Sequence, residues 1–293
     1  MKKDHKNKLM ILGSIGSLTT TVVLLVLKIG AFIFTGSVSI LSSLFDSVQD
    51  FMTSLINMVA IYQAVRPADK GHRFGHGKAQ GIGGLLQAFI IAVSAVLLMM
   101  ESVRHIFKSE PVQHIGFGVV VIVISIVLSS MLVPFQNHVI RQTGSVSIKA
   151  DRAHYAGDAV MNFGVLLSLL ATKFWGWLWL DGAFGAAVAL YLIYTVWQIM
   201  KEACSMLMDS ELAPQIRQDI EQIVLAIPDV RGISDLRTRE GGNQQFVQFN
   251  VQFDQKESLQ SAHDILDQIE AQIKHKYPDM DVITHAEPFD DNK

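Results

Sequence analysis

Apolar residues gather into six long runs in the first part of the chain, at 9–34, 38–65, 79–107, 115–138, 146–172 and 178–204. As helices, all six are long enough to cross a hydrocarbon core of about 30 Å, which takes roughly 20 residues. Beyond residue 206 the pattern changes to that of a small α/β domain. Residues 213–226 repeat apolar positions at helical spacing, with Ile216, Ile220, Ile223 and Val224 on one face. Residues 230–238 and 245–253 read as strands about a turn at Gly241 and Gly242, and the second alternates cleanly. An amphipathic helix follows over 258–274, opened by Ser258 as a cap, and then a last strand over 281–285. The expected fold is an α-helical polytopic membrane domain of six transmembrane helices, residues 1–205, plus a small cytoplasmic α/β domain, residues 206–293, with helices on one face of its sheet.

Two of the six runs break the apolar rule. The second contains LSSLFDSVQD, in which Asp46 and Asp50 stand four residues apart. On a helix that spacing stacks both carboxylates on one face, one turn apart. The fifth is the least apolar, because Lys149, Asp151, Arg152, His154 and Asp158 crowd its first half; His154 and Asp158 repeat the four-residue spacing. An acid at mid-bilayer costs on the order of 3 kcal/mol, so such acids need counter-ions. The nearest intramembrane cations are Lys28 and the interfacial Lys149 and Arg152, fewer than the charge requires. The cargo is the expected counter-ion. Three carboxylates and an imidazole from two helices suffice for one tetrahedral divalent ion, and the imidazole favours Zn2+, with Cd2+ as a mimic and Fe2+ or Co2+ as further candidates.

Composition and charge sharpen this picture. The 293 residues are 50% hydrophobic and only 17% charged, and the mean hydropathy is +0.32. From Met206 onward acids outnumber bases 17 to 8, whereas before it bases outnumber acids 16 to 10. The basic start MKKDHKNKLM leads into a full-length span without a small-residue cleavage site, the pattern of an anchor. Arg66, Lys70, Arg73, Lys78, Arg141 and Lys149 fall at alternate ends of the spans, while on the other side Lys108 offsets Glu110 and Lys173 offsets Asp181. By the positive-inside rule both termini are cytoplasmic. The single cysteine, Cys204, excludes a disulfide framework and a cysteine-based zinc cluster.

Two further groups carry metal-capable side chains. The loop PADKGHRFGHGK holds Asp69, His72 and His76 within eight residues, a donor set for a second zinc-type site. In the C-terminal domain His263, His285 and Glu287 are candidates that only folding can bring together. No H-E-x-x-H pattern occurs, so a metalloenzyme has no local support. A divalent-metal channel, or a metal-sensing membrane protein without proton coupling, is the alternative to a transporter.

DSVQD in the second run, HYAGD in the fifth, the loop FGHGK and the C-terminal α/β domain together resemble the cation diffusion facilitator family, and in detail its bacterial YiiP-type zinc transporters. The resemblance spans essentially the whole chain. It implies a homodimer in the bacterial inner membrane that exchanges cytoplasmic divalent metal for protons, with a metallochaperone-like domain at the dimer contact, no catalytic cofactor, no enzyme activity and no nucleic-acid partner. It further implies Asp46, Asp50, His154 and Asp158 as the transport site, Asp69, His72 and His76 as the loop site, and Lys78, Asp209 and Arg239 as a charge cluster holding the protomers together. The cytoplasmic site departs from the family pattern. Ser234 and Asn250 stand where histidines are usual and Glu287 where aspartate is usual, so metal control there is expected to be reduced.

Overall fold

The computed structural model describes residues 3–35, 38–107, 115–175, 179–242 and 244–289. Lys108 and Glu110, used above to orient the chain, lie outside that set. The chain divides into two compact units, Met1–Val65 with Ala79–Cys204, and Arg66–Lys78 with Ser205–Lys293. The loop 66–78 therefore packs with the C-terminal unit, although in sequence it joins two spans.

The first unit is built of six helices, α1 (Lys3–Thr35), α2 (Val38–Ala64), α3 (Ala79–Phe107), α4 (Ile115–Thr143), α5 (Val146–Trp175) and α6 (Leu180–Leu207). Among the described residues, segments of α1, α3, α4 and α6 are long and apolar enough to cross a membrane. The other two helices, α2 and α5, carry Asp46, Asp50, Asp151, His154 and Asp158. α4 runs past the expected end at 138 and through Pro134, so its interior lacks one backbone donor. Small residues let the helices approach closely. A Cβ at Gly83 of α3 would lie 2.3 Å from the Cβ of Ala60 on α2, and one at Gly157 of α5 would lie 2.7 Å from Leu192 on α6.

The second unit contains α7 (Pro214–Leu225), β1 (Gly232–Glu240), β2 (Gln245–Phe253), α8 (Leu259–Lys276) and β3 (Met280–Pro288). The strand order is β1-β2-β3, antiparallel between β1 and β2 and parallel between β2 and β3. A parallel pair needs a crossover, and α8 supplies it. Ser258 caps α8, accepting from the Ser261 backbone N–H at 3.1 Å. Ile220 and Val224 of α7, Phe249 and Val251 of β2, and Ile269 and Ile273 of α8 are fully buried in one core, with Ile216 and Ile223 packed at its edge. β3 reaches Pro288, beyond the expected end at 285, because its pairing with β2 continues to Phe253.

The α2/α3 contact leaves no room at Gly83. Gly83→Val is expected to cost about 1–3 kcal/mol by overpacking, read as a lower thermal midpoint of the detergent-purified chain. An unchanged midpoint would show that α2 and α3 are not so closely apposed.

Candidate metal-transport site

α5 owes its setting to buried polar groups rather than to apolar packing alone. Asp151 is fully buried and accepts from Gln136 Nε2 of α4 at 2.7 Å and from the Ser17 hydroxyl of α1. Ser54 of α2 donates to the Tyr155 hydroxyl at 2.9 Å, and Tyr155 donates to the Ser17 carbonyl at 3.0 Å. Ser147 donates to Asn57 Oδ1 at 2.7 Å. Away from water such groups depend on partners within the protein, although Asn57 Nδ2, Gln136 Oε1 and Asp151 Oδ1 are buried without one. Together these bonds fix the rotation of α5 about its axis.

That rotation turns His154 and Asp158 toward α2. His154 Nε2 stands 2.9 Å from Asp50 Oδ1 and 3.6 Å from Asp158 Oδ2, and one ligand atom from each residue lies within 4.8 Å of the others. His154 is buried, while Asp158 is about 42% exposed and so open to an entering ion. The three line a cavity of about 400 Å3 together with Asp46, Lys28, Gln49 and Ser94. Asp46 thus shares the cavity without joining the close trio; its side chain is exposed, one helical turn from Asp50. Gln49 Nε2 donates to Ser94 Oγ at 2.8 Å, tying α2 to α3 beside the acids. An imidazole nitrogen aimed at two carboxylate oxygens can hold either a proton or a divalent cation at nearly the same point.

The loop residues Asp69, His72 and His76 also come together. Asp69 Oδ1 is 3.4 Å from His72 Nδ1, Asp69 Oδ2 is 3.3 Å from His76 Nε2, and the imidazole centroids are 4.5 Å apart. The His72 backbone N–H donates to Asp69 Oδ1 at 2.7 Å and that of Gly71 at 2.9 Å. These bonds, the His72 amide foremost, hold the Asp69 carboxyl below its ordinary value and leave it ionised for a cation.

The loop is fastened to the α/β unit by the charge cluster the resemblance implied and by aromatic contacts that sequence reading did not foresee. The Arg239 guanidinium lies 4.7 Å from the Phe74 ring and 4.6 Å from the Phe246 ring. Lys78 Nζ binds Asp209 Oδ2 at 2.9 Å, and Arg239 Nη1 binds Asp209 Oδ1 at 3.1 Å. Asp209 adopts φ 55°, a left-handed conformation that Asp tolerates better than most residues. Gly242, with φ +85°, has no room for a side chain, since a Cβ there would meet the Gly77 carbonyl at 2.4 Å. Here Lys78, Asp209 and Arg239 bond to one another within a single chain.

His263, His285 and Glu287 form no metal-capable cluster of three among the described residues. His263 is exposed on α8, 3.7 Å from Asp267. His285 is exposed on β3. The Glu287 carboxylate accepts from Ser234 Oγ at 3.1 Å and from Asn250 Nδ2 at 2.9 Å. Ser234 and Asn250 thus supply protein donors to the carboxylate.

Residues 14–208 match the family described as the cation efflux transmembrane domain, and residues 212–289 match the cation efflux protein cytoplasmic domain. The chain belongs to the cation diffusion facilitator family, also called the cation efflux family. It is 40% identical over 265 residues to the cation-efflux pump FieF of Klebsiella pneumoniae, covering 90% of this chain and 88% of that protein. The FieF proteins of Escherichia fergusonii and Escherichia coli K12 match over the same spans at 38% and 37% identity. As a member of this family the chain is a multi-pass membrane transporter of divalent cations and not an enzyme.

Within the α/β unit, burial opposes ionisation of Asp209, but the hydrogen bonds from Lys78 and Arg239 outweigh it and hold the carboxyl below its ordinary value. A carboxyl lowered by folding stabilises fully above its unfolded value of about 4 and loses that contribution as pH falls through the lowered value. Hydrogen exchange in residues 66–78, corrected for intrinsic rates, should therefore rise below about pH 4. Asp209→Asn should produce the same rise at neutral pH; protection unchanged in that variant would mean the aromatic contacts alone hold the loop.

Proposed function

We propose that this chain is a proton-coupled antiporter that exports divalent metal, Zn2+ first among candidates, from the cytoplasm across the inner membrane as a homodimer. The observation that carries the reading is the approach of Asp50 and Asp158 to the buried His154 inside a cavity between membrane helices. Imidazole titrates near physiological pH, and metal and proton compete for the same lone pair. Metal entering from the cytoplasm displaces the proton at His154 and binds Asp50, His154 and Asp158, with Asp46 completing the set after a rotamer change or through water. On the outer side a proton returns to His154 and the metal leaves.

Lys28 gives this cycle a resting state. It is buried on α1 and lines the same cavity, in electrostatic contact with Asp50, Asp46 and Asp158. Its ammonium offsets part of the acid charge when no metal is bound and opposes the metal when one is. The loop site of Asp69, His72 and His76 is an accessory binding site. Both termini are cytoplasmic, and Lys78, Asp209 and Arg239 support the dimer contact by bracing the unit that forms it. The names of the FieF relatives agree with efflux as the direction.

Zinc transport into proteoliposomes under an imposed pH gradient tests the reading. The wild-type chain should drive zinc against its gradient, and Asp50→Ala should reduce the rate by at least the ~10–100-fold that even outer-shell groups are worth at metal sites. Zinc that merely equilibrates, indifferent to the proton gradient, would sink antiport. His154→Ala should remove the pH dependence of any residual flux. Lys28→Met should tighten equilibrium zinc binding by about tenfold or more, since a unit charge a few Å away is worth a few kcal/mol at an effective dielectric near 20. A weakened affinity would assign Lys28 a purely structural part.

A further inference from the structure

α4, α5 and α6 enclose a second cavity, of about 230 Å3, remote in sequence from the acids of α2 and lined by Asn137, Lys149, Arg152, Thr195, Gln198 and Glu202. Its charges do not cancel. Lys149 pairs with Glu202, which neutralises both. Arg152 has no such carboxylate among the described residues, and its Nε is buried without a hydrogen-bond partner. The Thr195 hydroxyl already donates to the Tyr191 carbonyl, and Gln198 Nε2 to the Tyr194 hydroxyl. The guanidinium, the Asn137 amide and the spare N–H bonds of Lys149 are thus the donors left for a guest.

Depth within the bundle narrows the choice of guest. Lys149 and Arg152 stand in the first two turns of α5, Asn137 in the last two turns of α4, and Glu202 near the end of α6. All lie at one end of the helices, where headgroups meet the hydrocarbon. A half-buried cation whose Nε is shut off from water favours an anion, and at that level the abundant one is a lipid phosphate. Guanidinium matches phosphate with paired, charge-assisted hydrogen bonds. Ile140 and Ile199 provide an apolar wall for the glycerol and the first acyl carbons.

We propose that this cavity binds the phosphodiester of an anionic phospholipid, with Arg152 as its principal ligand. The site is separate from the transport reading and stands or falls without it. Native mass spectrometry of the full chain in detergent, with phosphatidylglycerol or phosphatidylcholine added, is the test. Wild type should retain phosphatidylglycerol more firmly than phosphatidylcholine, whose trimethylammonium offsets its phosphodiester and leaves the cavity's excess positive charge uncompensated; Arg152→Met should weaken retention by about tenfold, the scale of one lost charge-assisted contact, and Arg152→Lys should fall between. Equal retention by wild type and Arg152→Met overturns the proposal, as does equal retention of the two lipids. Displacement of the lipid by millimolar inorganic phosphate would identify free phosphate as the guest and overturn the lipid assignment. Should Arg152→Met fail to fold, thermal unfolding of the wild type decides: phosphatidylglycerol must raise the midpoint more than phosphatidylcholine, and equal midpoints refute the site.

Discussion

A polar helix inside a hydrocarbon solvent is the constraint on which the membrane unit depends. Without water, the buried donors and acceptors on α5 depend on partners in other helices, and Arg152 Nε and Asp151 Oδ1 are exceptions that lack one. Ser147, Asp151, His154 and Asp158 fall at steps of four, three and four residues, so one face of α5 is polar along its first half. Asn57, Ser17, Gln136 and Asp50 supply partners from α1, α2 and α4. Satisfying the lower part of that stripe holds the upper part, with His154 and Asp158, against the acids of α2. The structural bonds and the proposed transport chemistry thus share one helix face.

The same constraint explains why the cavity stays polar. Its carboxylates cannot all bond to one another, and Lys28 is the cation the fold places among them. A site whose charges were wholly satisfied by protein groups would hold a metal ion poorly, and one with no internal cation would hold it too firmly to release. Partial compensation suits a carrier, which must both bind and let go.

In the second unit the governing contact is Arg239 between two aromatic rings. Phe74 comes from the loop and Phe246 from β2, so the guanidinium joins segments far apart in the chain while also binding Asp209. The loop donors Asp69, His72 and His76 are therefore carried by the α/β unit. On the sheet, Ser234 of β1 and Asn250 of β2 are register partners that both donate to Glu287 of β3. This is a metal-free way of satisfying that carboxylate.

Much of this was legible in sequence. Six apolar runs, the change at residue 206, the alternation of 245–253 and the Ser258 cap depend on local periodicity, which the chain displays without folding. The pairs Asp46 with Asp50 and His154 with Asp158 were legible for the same reason, because four-residue spacing on a helix is itself a geometric statement. Other facts depend on contacts between segments a hundred or more residues apart. Sequence marked Asp151 as one of several charges weakening a span, and only its bonds to Ser17 and Gln136 reveal it as a buried anchor. The loop 66–78 reads as a connector between spans until Phe74 is found beside Arg239. His263, His285 and Glu287 were candidates that only folding could pair; the fold leaves the histidines exposed and gives Glu287 to the Ser234 and Asn250 donors. The sequence by itself determined which elements form and which carry ionisable groups, since those follow from residue type and period. Only the tertiary structure decided which of these groups share a cavity, because helix rotation and strand register are set by partners that no local pattern names.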